Sequence, residues 1–226
     1  MRPNGLVIAM DGTAGTGKSS VGRAVAQQLG YSFLSTGGLY RALAYQVFVR
    51  KVNPADDQAV LALAKQLVFT FERQADATLK MFVDGEYLGD KLQLDEVAQT
   101  ASKISTNAAA RAVLTEQMRR VGKDGGIIVE GRDIGTVVFP DAEVKIYLDA
   151  SAEVRADRRV KQLHEQGVAA DYEHILASIK ERDLRDSTRV ASPLKPALDA
   201  VKIDTSALSM PQVIEEVLKE IKQHAA

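Results

Sequence analysis

The chain lacks cysteine altogether and has only 3 histidines among its 226 residues. Without cysteine there can be no disulfide bond, thiolate nucleophile or cysteine-ligated zinc, and the composition suits a reducing compartment. His164, His174 and His224 do not have the spacing of metal ligands, so we expect them on the surface. The formal net charge is −1, which gives none of the global positive field on which nucleic-acid binders rely.

Long apolar runs are also missing. The first apolar run breaks at Asp11, well short of a signal-peptide core or of the ~20 residues that cross a membrane. With 46% hydrophobic residues, the chain can still bury a core, as one domain or as one domain with inserts. We therefore expect a cytoplasmic protein that binds neither membranes nor nucleic acid.

A glycine-rich segment near the N-terminus is the strongest signal that the sequence does contain. "GTAGTGKS" (12–19) fits the phosphate-loop pattern G-x-x-x-x-G-K-[ST]. The apolar "GLVIAMD" before it predicts a buried strand, and "SSVGRAVAQQLG" after it predicts a helix with Val21, Val25 and Leu29 on one face and Gly30 at its end. The alternative is an ordinary glycine-rich turn, but strand, loop and helix together favour a nucleoside-triphosphate site.

The expected contacts of this loop follow from its chemistry. Glycines let backbone N–H groups approach phosphate oxygens, and the helix N-terminus adds partial positive charge. Lys18 can reach the terminal phosphates, and Ser19 or Ser20 can offer a hydroxyl to Mg²⁺; the sequence leaves the choice between the two serines open. The predicted ATP-binding residues are Gly12, Thr13, Ala14, Gly15, Thr16, Gly17, Lys18, Ser19 and Ser20.

The remaining pattern predicts an α/β fold. Short apolar runs at 31–36, 125–133, 144–150 and 200–206 alternate with helical segments at 37–51, 151–167 and 209–223, where Ser151 and Ser209 are predicted N-caps. Such alternation implies a parallel sheet covered by helices on both faces. Ligands of such sheets lie beyond the carboxyl ends of the strands, so the loop, Thr36 and the "EGRD" stretch should converge on one cleft.

One segment interrupts the alternation. Residues 67–92 have two-residue periodicity with "DG" at 84–85, which predicts a small antiparallel insert containing a hairpin. Helices are expected at about 94–105 and 108–122, and the final "QHAA" is expected to fray.

Missing motifs narrow the phosphate-loop classes. The D-x-x-G and N-K-x-D strings of GTPases do not occur, and neither does the serine-glycine-glycine signature of ABC-type ATPases. A kinase needs an acceptor site and cations between two anions. Arg155, Arg158 and Arg159 share one helical face, as do Arg182, Arg185 and Arg189. They could be solvated surface with local pairs such as Arg182–Asp186, or a lid that closes over the triphosphate and excludes water.

The sequence resembles the bacterial-type cytidylate kinases, a branch of the nucleoside-monophosphate kinases, over essentially its whole length. The strings that carry the resemblance are "DGTAGTGKSS", "STGGLYR", "EVAQTASKIS", "IIVEGRDIGTVVFPDA", "VKIYLDAS", "RADRR" and "IKERDLRDSTRVASPL". "GRDIGTVVFP" is the most specific of them, since other monophosphate-kinase branches lack it.

The resemblance implies a site for CMP, and for dCMP as is usual in this family. Ser102, Arg111 and Asp133 match the cytosine-reading positions. The positions that contact sugar and phosphate are matched by Thr36, Arg41, Arg132, Arg182, Asp186 and Arg189. Arg158 and Arg159 match lid arginines, and with Lys18, Arg132 and Arg189 they form the expected catalytic set.

Cytosine chemistry agrees with these assignments. A carboxylate or hydroxyl can accept from the cytosine amino group, and an arginine can donate to N3. Uracil reverses both features, so UMP should be a poor acceptor. Each residue also has an ordinary reading: Arg111 and Ser102 as helix-surface residues, Arg132 and Asp133 as a pairing at a strand end, and Thr36 as a helix cap.

The sequence departs from the family pattern at three places. Thr13 stands where proline is common, Thr36 replaces a more usual serine, and Ser19-Ser20 replaces a glycine-threonine pair; none removes a chemical requirement. The expected division is a phosphate-loop core at 1–37, 106–150 and 190–226, an acceptor-binding region at 38–105 and a short helical lid at 151–189. We expect a monomer that uses ATP and Mg²⁺.

Two rival functions stay open on the sequence alone. The same machinery could serve another acceptor, such as UMP, AMP or shikimate. The protein could also be a non-catalytic nucleotide sensor, although a sensor has no use for so many arginines on the acceptor side.

Overall fold

A computed structural model describes residues 2–225 of the chain. Its larger sheet has five parallel strands in the order β2-β6-β1-β7-β8, and its smaller one has three antiparallel strands in the order β3-β4-β5. The strands are β1 Val7–Gly12, β2 Ser32–Ser35, β3 Phe69–Arg73, β4 Leu79–Val83, β5 Glu86–Tyr87, β6 Ile127–Glu130, β7 Val144–Asp149 and β8 Val201–Asp204.

Eight α-helices surround the two sheets in the described part of the chain. They are α1 Lys18–Leu29, α2 Thr36–Val49, α3 Asp57–Gln66, α4 Asp95–Ile104, α5 Ala108–Gly122, α6 Ala152–Glu165, α7 Tyr172–Thr188 and α8 Met210–Ala225. The last residue, which belongs to the segment expected to fray, lies outside the described residues.

Helices cover both faces of the parallel sheet. Successive side chains of the central strand β1 therefore point alternately into two separate cores. Val7 and Ala9 join a core built with α2, α3, α4 and α5. Ile8 and Met10 face the other way, into a core with α1 and α8. The predicted doubly covered parallel sheet is therefore confirmed.

The expected antiparallel insert is present as well. β4 and β5 pair at Val83 and Glu86 around the turn Asp84-Gly85. Asp84 has φ 51° and Gly85 has φ 83°, the left-handed backbone that a two-residue hairpin turn requires.

Helix ends agree in large part with their sequence signals. The Ser151 hydroxyl accepts from the Val154 N–H at 3.2 Å, as an N-cap does. Gln212 Oε1 accepts from the Ser209 N–H at 2.8 Å, which is one half of a capping box.

Two elements were not predicted from the sequence: α3 and the irregular turn at Ile134–Val138, a single π-helical turn directly after "GRD". None of the helices within residues 2–225 combines the length and the apolar character that a bilayer crossing requires.

Candidate active site

The phosphate loop joins the end of β1 to the start of α1, at the carboxyl edge of the sheet. Its three glycines have φ values of 146°, 83° and 91° at Gly12, Gly15 and Gly17, conformations that side chains disfavour. A Cβ atom at Gly12 would lie 2.0 Å from the Leu148 carbonyl oxygen. The loop therefore needs glycine there both for conformation and for close contact with β7.

Lys18 is the first residue of α1 and is only 5% exposed. Its ammonium group donates to the Thr13 carbonyl and to Thr16 Oγ1 at 3.3 Å. Desolvation, followed by the charge of nearby Arg132, lowers the pKa of Lys18 to about 7. A triphosphate in the loop would supply the negative charge that this buried ammonium lacks.

Glu130 ends β6 beside the loop and was not singled out from the sequence. Both of its carboxylate oxygens accept from the Ser19 hydroxyl, at 2.9 and 3.0 Å, and Oε1 also accepts from Ser35 at 2.5 Å. Thr36 donates its hydroxyl to the Glu130 carbonyl at 2.8 Å rather than capping α2. A buried carboxylate immediately before "GRD", at a strand end, was the signal available in the sequence.

Asp11 fixes the turn that follows Glu130. Its carboxylate accepts from the backbone N–H groups of Ile134 and Gly135, both at 2.8 Å. Burial raises the pKa of Asp11 to about 6, against the lowering effect of these two bonds. The bonds set the backbone path that places Arg132 and Asp133 at the edge of the sheet.

A cavity of about 610 Å³ begins at the loop and collects most of the residues singled out from the sequence. The predicted site residues that line it are Ala14, Gly15, Gly17, Lys18, Ser19, Ser20, Thr36, Arg41, Ser102, Arg111, Arg132, Asp133, Arg158, Arg182, Asp186 and Arg189. The expected convergence of the loop, Thr36 and "EGRD" is confirmed. Gly12, Thr13 and Thr16 belong to the same loop but do not line the cavity.

Arg159 stands apart from this cavity. Its side chain is exposed on α6 and donates to Gln162 Oε1 at 2.8 Å. Its expected lid role stays a prediction.

At the far end of the cavity, Arg111 and Asp133 form a buried ion pair at 2.5 Å, with side chains 5% and 6% exposed. Arg111 also donates to the Ser105 carbonyl at 3.1 Å. Arg189 Nη2 lies 3.7 Å from the other Asp133 oxygen. Since these contacts bring the guanidinium and the carboxylate together, the cavity presents both a donor and an acceptor there.

The middle of the cavity carries excess positive charge. Arg132 Nε donates to Asp186 at 3.0 Å, so the i, i+4 pair Arg182–Asp186 that the sequence left open is replaced by a tertiary one. Arg182 has no hydrogen bond or ion pair to a residue between 2 and 225 and lies open to the cavity. Desolvation and then the guanidinium of Arg132 lower its pKa, as desolvation lowers that of Arg41.

Ser102 is engaged from across the cavity mouth. Arg185 of α7 donates to its hydroxyl at 2.7 Å and also pairs with Glu181, one turn away on the same helix. This contact joins α4 to α7, so a nucleobase that uses Ser102 must share or displace Arg185.

Arg155 of α6 is fully engaged with protein atoms. Its guanidinium makes a two-pronged pair with Asp183 at 3.1 and 2.5 Å and donates to the Ala14 carbonyl at 3.1 Å. Arg158 likewise donates to Thr205 Oγ1 and O, at 3.1 and 2.6 Å. Arg155 thus ties α6 and α7 to the phosphate loop, a role that spacing alone did not reveal.

The parallel sheet, the glycine loop at its edge and a second, cationic end of the same cavity define a phosphate-loop kinase. A solved structure of an uncharacterised protein from Eubacterium ventriosum ATCC 27560 shares this fold, with a TM-score of 0.50 and 14% identity over 96% of this chain and 99% of that one.

Comparison with known families identifies the branch. The family model described as cytidylate kinase matches residues 8–223. A cytidylate kinase of Pasteurella multocida (strain Pm70) is 42% identical over 221 residues, 98% of this chain and 97% of that protein. One from Citrifermentans bemidjiense is 40% identical over 226 residues, 100% of this chain and 97% of its own length. The chain belongs to the cytidylate kinase family, a family of nucleotide-binding transferases, and the resemblance drawn from the sequence is confirmed.

Proposed function

We propose that the protein transfers the γ-phosphoryl group of ATP directly to the phosphate of CMP, and also to that of dCMP. Family membership supports the activity. The observation that carries the site assignment is the single cavity that joins the phosphate loop to the Arg111–Asp133 pair through Arg132 and Arg182.

On the acceptor side, four guanidinium groups that line the cavity hold the monophosphate. These are Arg41, Arg132, Arg182 and Arg189, with the Thr36 hydroxyl beside them. Asp186 accepts a sugar hydroxyl while it keeps its bond from Arg132. If dCMP is also phosphorylated, that sugar contact is not essential.

Asp133 and Ser102 accept from the cytosine amino group, and Arg111 donates to the ring acceptors. Uracil would place an oxygen against the carboxylate and an N–H against the arginine. Because buried polar groups left unpaired are costly, a site of this kind discriminates strongly against the analogue.

The chemistry needs alignment and charge neutralisation more than proton transfer. The acceptor oxygen of a nucleoside monophosphate is already anionic at neutral pH, so no strong general base is required. Lys18 and the arginines hold the two phosphates in line and offset their repulsion. Arg158 and Arg159 of α6 belong to the lid that covers the transferring group and excludes water.

Residues suited to Mg²⁺ lie where such an ion would contact ATP. Ser19 Oγ and the Glu130 carboxylate are hard oxygen donors 2.9 Å apart. Among residues 2–225, no cluster of three or more His, Cys, Asp or Glu side chains could hold the ion without nucleotide. That agrees with Mg²⁺ being held largely by phosphates and water. When bound, Mg²⁺ would neutralise phosphate charge. We assign Ser19, rather than Ser20, as its protein hydroxyl, because Ser19 contacts the Glu130 carboxylate.

The division into parts is proposed from the same geometry. Residues 1–37, 106–150 and 190–226 form the phosphate-loop core, 38–105 the acceptor-binding region with its insert at 67–92, and 151–189 the lid. We also propose that the protein acts as a monomer.

The direct test is ADP formation from ATP over CMP, dCMP, UMP and AMP, with a no-acceptor control. CMP and dCMP should give acceptor-dependent ADP, and UMP and AMP should be poor. A preference for UMP would contradict the base assignment. ATP binding without CMP-dependent ADP would instead indicate the nucleotide sensor.

A further inference from the structure

Three buried polar atoms near the Arg111–Asp133 pair have no hydrogen-bond partner among residues 2–225. They are Tyr40 Oη, Arg111 Nε and Arg189 Nη2, and their residues all line the cavity. An unsatisfied buried group costs about 1–3 kcal/mol, so such groups are rare unless a ligand pairs with them. Of these three residues, only Tyr40 has no assigned role.

Tyr40 lies on α2, and its ring contacts the guanidinium of Arg111. The Arg111 Cζ atom is 5.2 Å from the ring centroid, within the range of a cation–π contact. Arg111 is otherwise held by Asp133 and by the Ser105 carbonyl. The tyrosine ring is therefore the contact from α2 that limits the tilt of the guanidinium.

The phenol hydroxyl is available as both donor and acceptor. Burial raises the pKa of Tyr40 to about 12, so the hydroxyl is neutral at physiological pH. A neutral phenol donates one hydrogen bond and accepts others. It can thus satisfy a polar edge of a bound nucleotide without adding charge.

We propose that Tyr40 determines acceptor specificity in two ways. Its ring positions Arg111 against the base, and its hydroxyl hydrogen-bonds the bound acceptor nucleotide. The proposal rests on the proposed function, since it assigns the base to this end of the cavity. A guanidinium can only donate hydrogen bonds. When it is held in one orientation against the base, it therefore favours the N3 acceptor of cytosine over the N3–H of uracil.

Two substitutions separate the ring from the hydroxyl. Tyr40→Phe keeps the ring, so KM for CMP should rise about fivefold to tenfold, with kcat and the CMP-to-UMP ratio of kcat/KM close to wild type. Tyr40→Leu also removes the ring, and the CMP-to-UMP ratio should fall about tenfold, the size of one cation–π contact. A purely structural role would change unfolding temperature but not this ratio.

Tyr45 provides a matched control on the same helix. It is also partly buried against the core and has a cation over its ring, Lys91 at 5.7 Å, but it does not line the cavity. Tyr45→Phe and Tyr45→Leu should leave KM for CMP and the CMP-to-UMP ratio unchanged.

The outcomes also separate this proposal from the proposed function. If the wild type forms ADP with CMP and Tyr40→Leu keeps its KM and base ratio, the Tyr40 proposal fails and the activity stands. If the wild type gives no CMP-dependent ADP, the function itself fails. Should Tyr40→Leu not fold, an unchanged KM for CMP in Tyr40→Phe would still overturn the hydroxyl contact.

Discussion

Arginines on α6 and arginines around the acceptor end of the cavity have the same charge but different partners. Arg155 and Arg158 make hydrogen bonds to protein carbonyl, hydroxyl or carboxylate oxygens. Arg182 lies open to the cavity, and Arg189 Nη2 is buried without a hydrogen bond. We infer that Arg155, whose guanidinium is paired with protein oxygens, holds the fold together, whereas Arg182, open to the cavity, is placed to bind an anion.

The largest expected effect comes from extending the comparison to two buried lysines, Lys18 at the cavity and Lys145 outside it. Lys18→Ala removes the ammonium aimed at the triphosphate, so kcat should fall by about 10³ or more, with CMP binding nearly unchanged. Steady-state kinetics and calorimetry of CMP binding measure the two quantities. Near-normal turnover in this variant would end the proposed mechanism.

Lys145 is the matched control for Lys18. It is 9% exposed and pairs with Asp199 at 2.8 Å, outside the cavity. Lys145→Ala should lower stability and leave kcat within a few-fold of wild type.

The Arg155–Asp183 pair should contribute mainly to stability. Asp183→Asn leaves the buried guanidinium without its counter-charge, so the free energy of unfolding should fall by about 2–3 kcal/mol. Denaturant titration measures the change. Glu153→Gln breaks an exposed pair with Lys180, 55% and 57% exposed, and should cost much less stability than Asp183→Asn. Equal losses of unfolding free energy in the two variants would contradict the expected difference between the buried and the exposed ion pair.

Arg182, unlike the Arg155–Asp183 pair, should contribute to CMP binding and not to stability. Arg182→Ala removes a cation that has no hydrogen bond or ion pair among residues 2–225, so KM for CMP should rise about 10- to 100-fold, while the unfolding temperature stays level. Arg23, exposed on α1 and 3.9 Å from Asp76, provides the control, and Arg23→Ala should change neither quantity. A large loss of stability in Arg182→Ala, with KM unchanged, would contradict its assignment.

The smallest expected effect is a pH dependence of ATP binding. Because the pKa of Lys18 is lowered to about 7 in the free protein, the group is largely neutral above that pH, and bound triphosphate favours its charged form. Binding therefore takes up a proton, and ATP affinity should fall between pH 7.5 and 9, by at most about tenfold per pH unit. Calorimetry in buffers of different ionisation enthalpy measures the uptake. An ATP affinity of the wild type that does not change between pH 7.5 and 9 would contradict this proton uptake.

Local signals were enough to predict the phosphate loop and the strand ends. The loop pattern needs only adjacent residues, and parallel strands bring their carboxyl ends together whatever their order. This is why Lys18, Thr36, Arg132 and Asp133 were placed in one cleft correctly.

Long-range pairing could not be predicted in the same way. Spacing alone offered Asp186 a neighbour one turn away, but its partner is Arg132, 54 positions away in the chain. The Arg155–Asp183 pair depends on how α6 packs against α7, which helical periodicity does not specify. Glu130 was overlooked because its role depends on hydroxyls from two other segments.

A crystal structure with CMP and a non-hydrolysable ATP analogue tests the central claim most directly. The account predicts the terminal phosphate of the analogue and a CMP phosphate oxygen in line, about 3–3.5 Å apart, with Arg182 bound to phosphate and Arg155 still bound to Asp183. Ligands in separate crevices, or an Arg182 that still contacts neither phosphate, would contradict it.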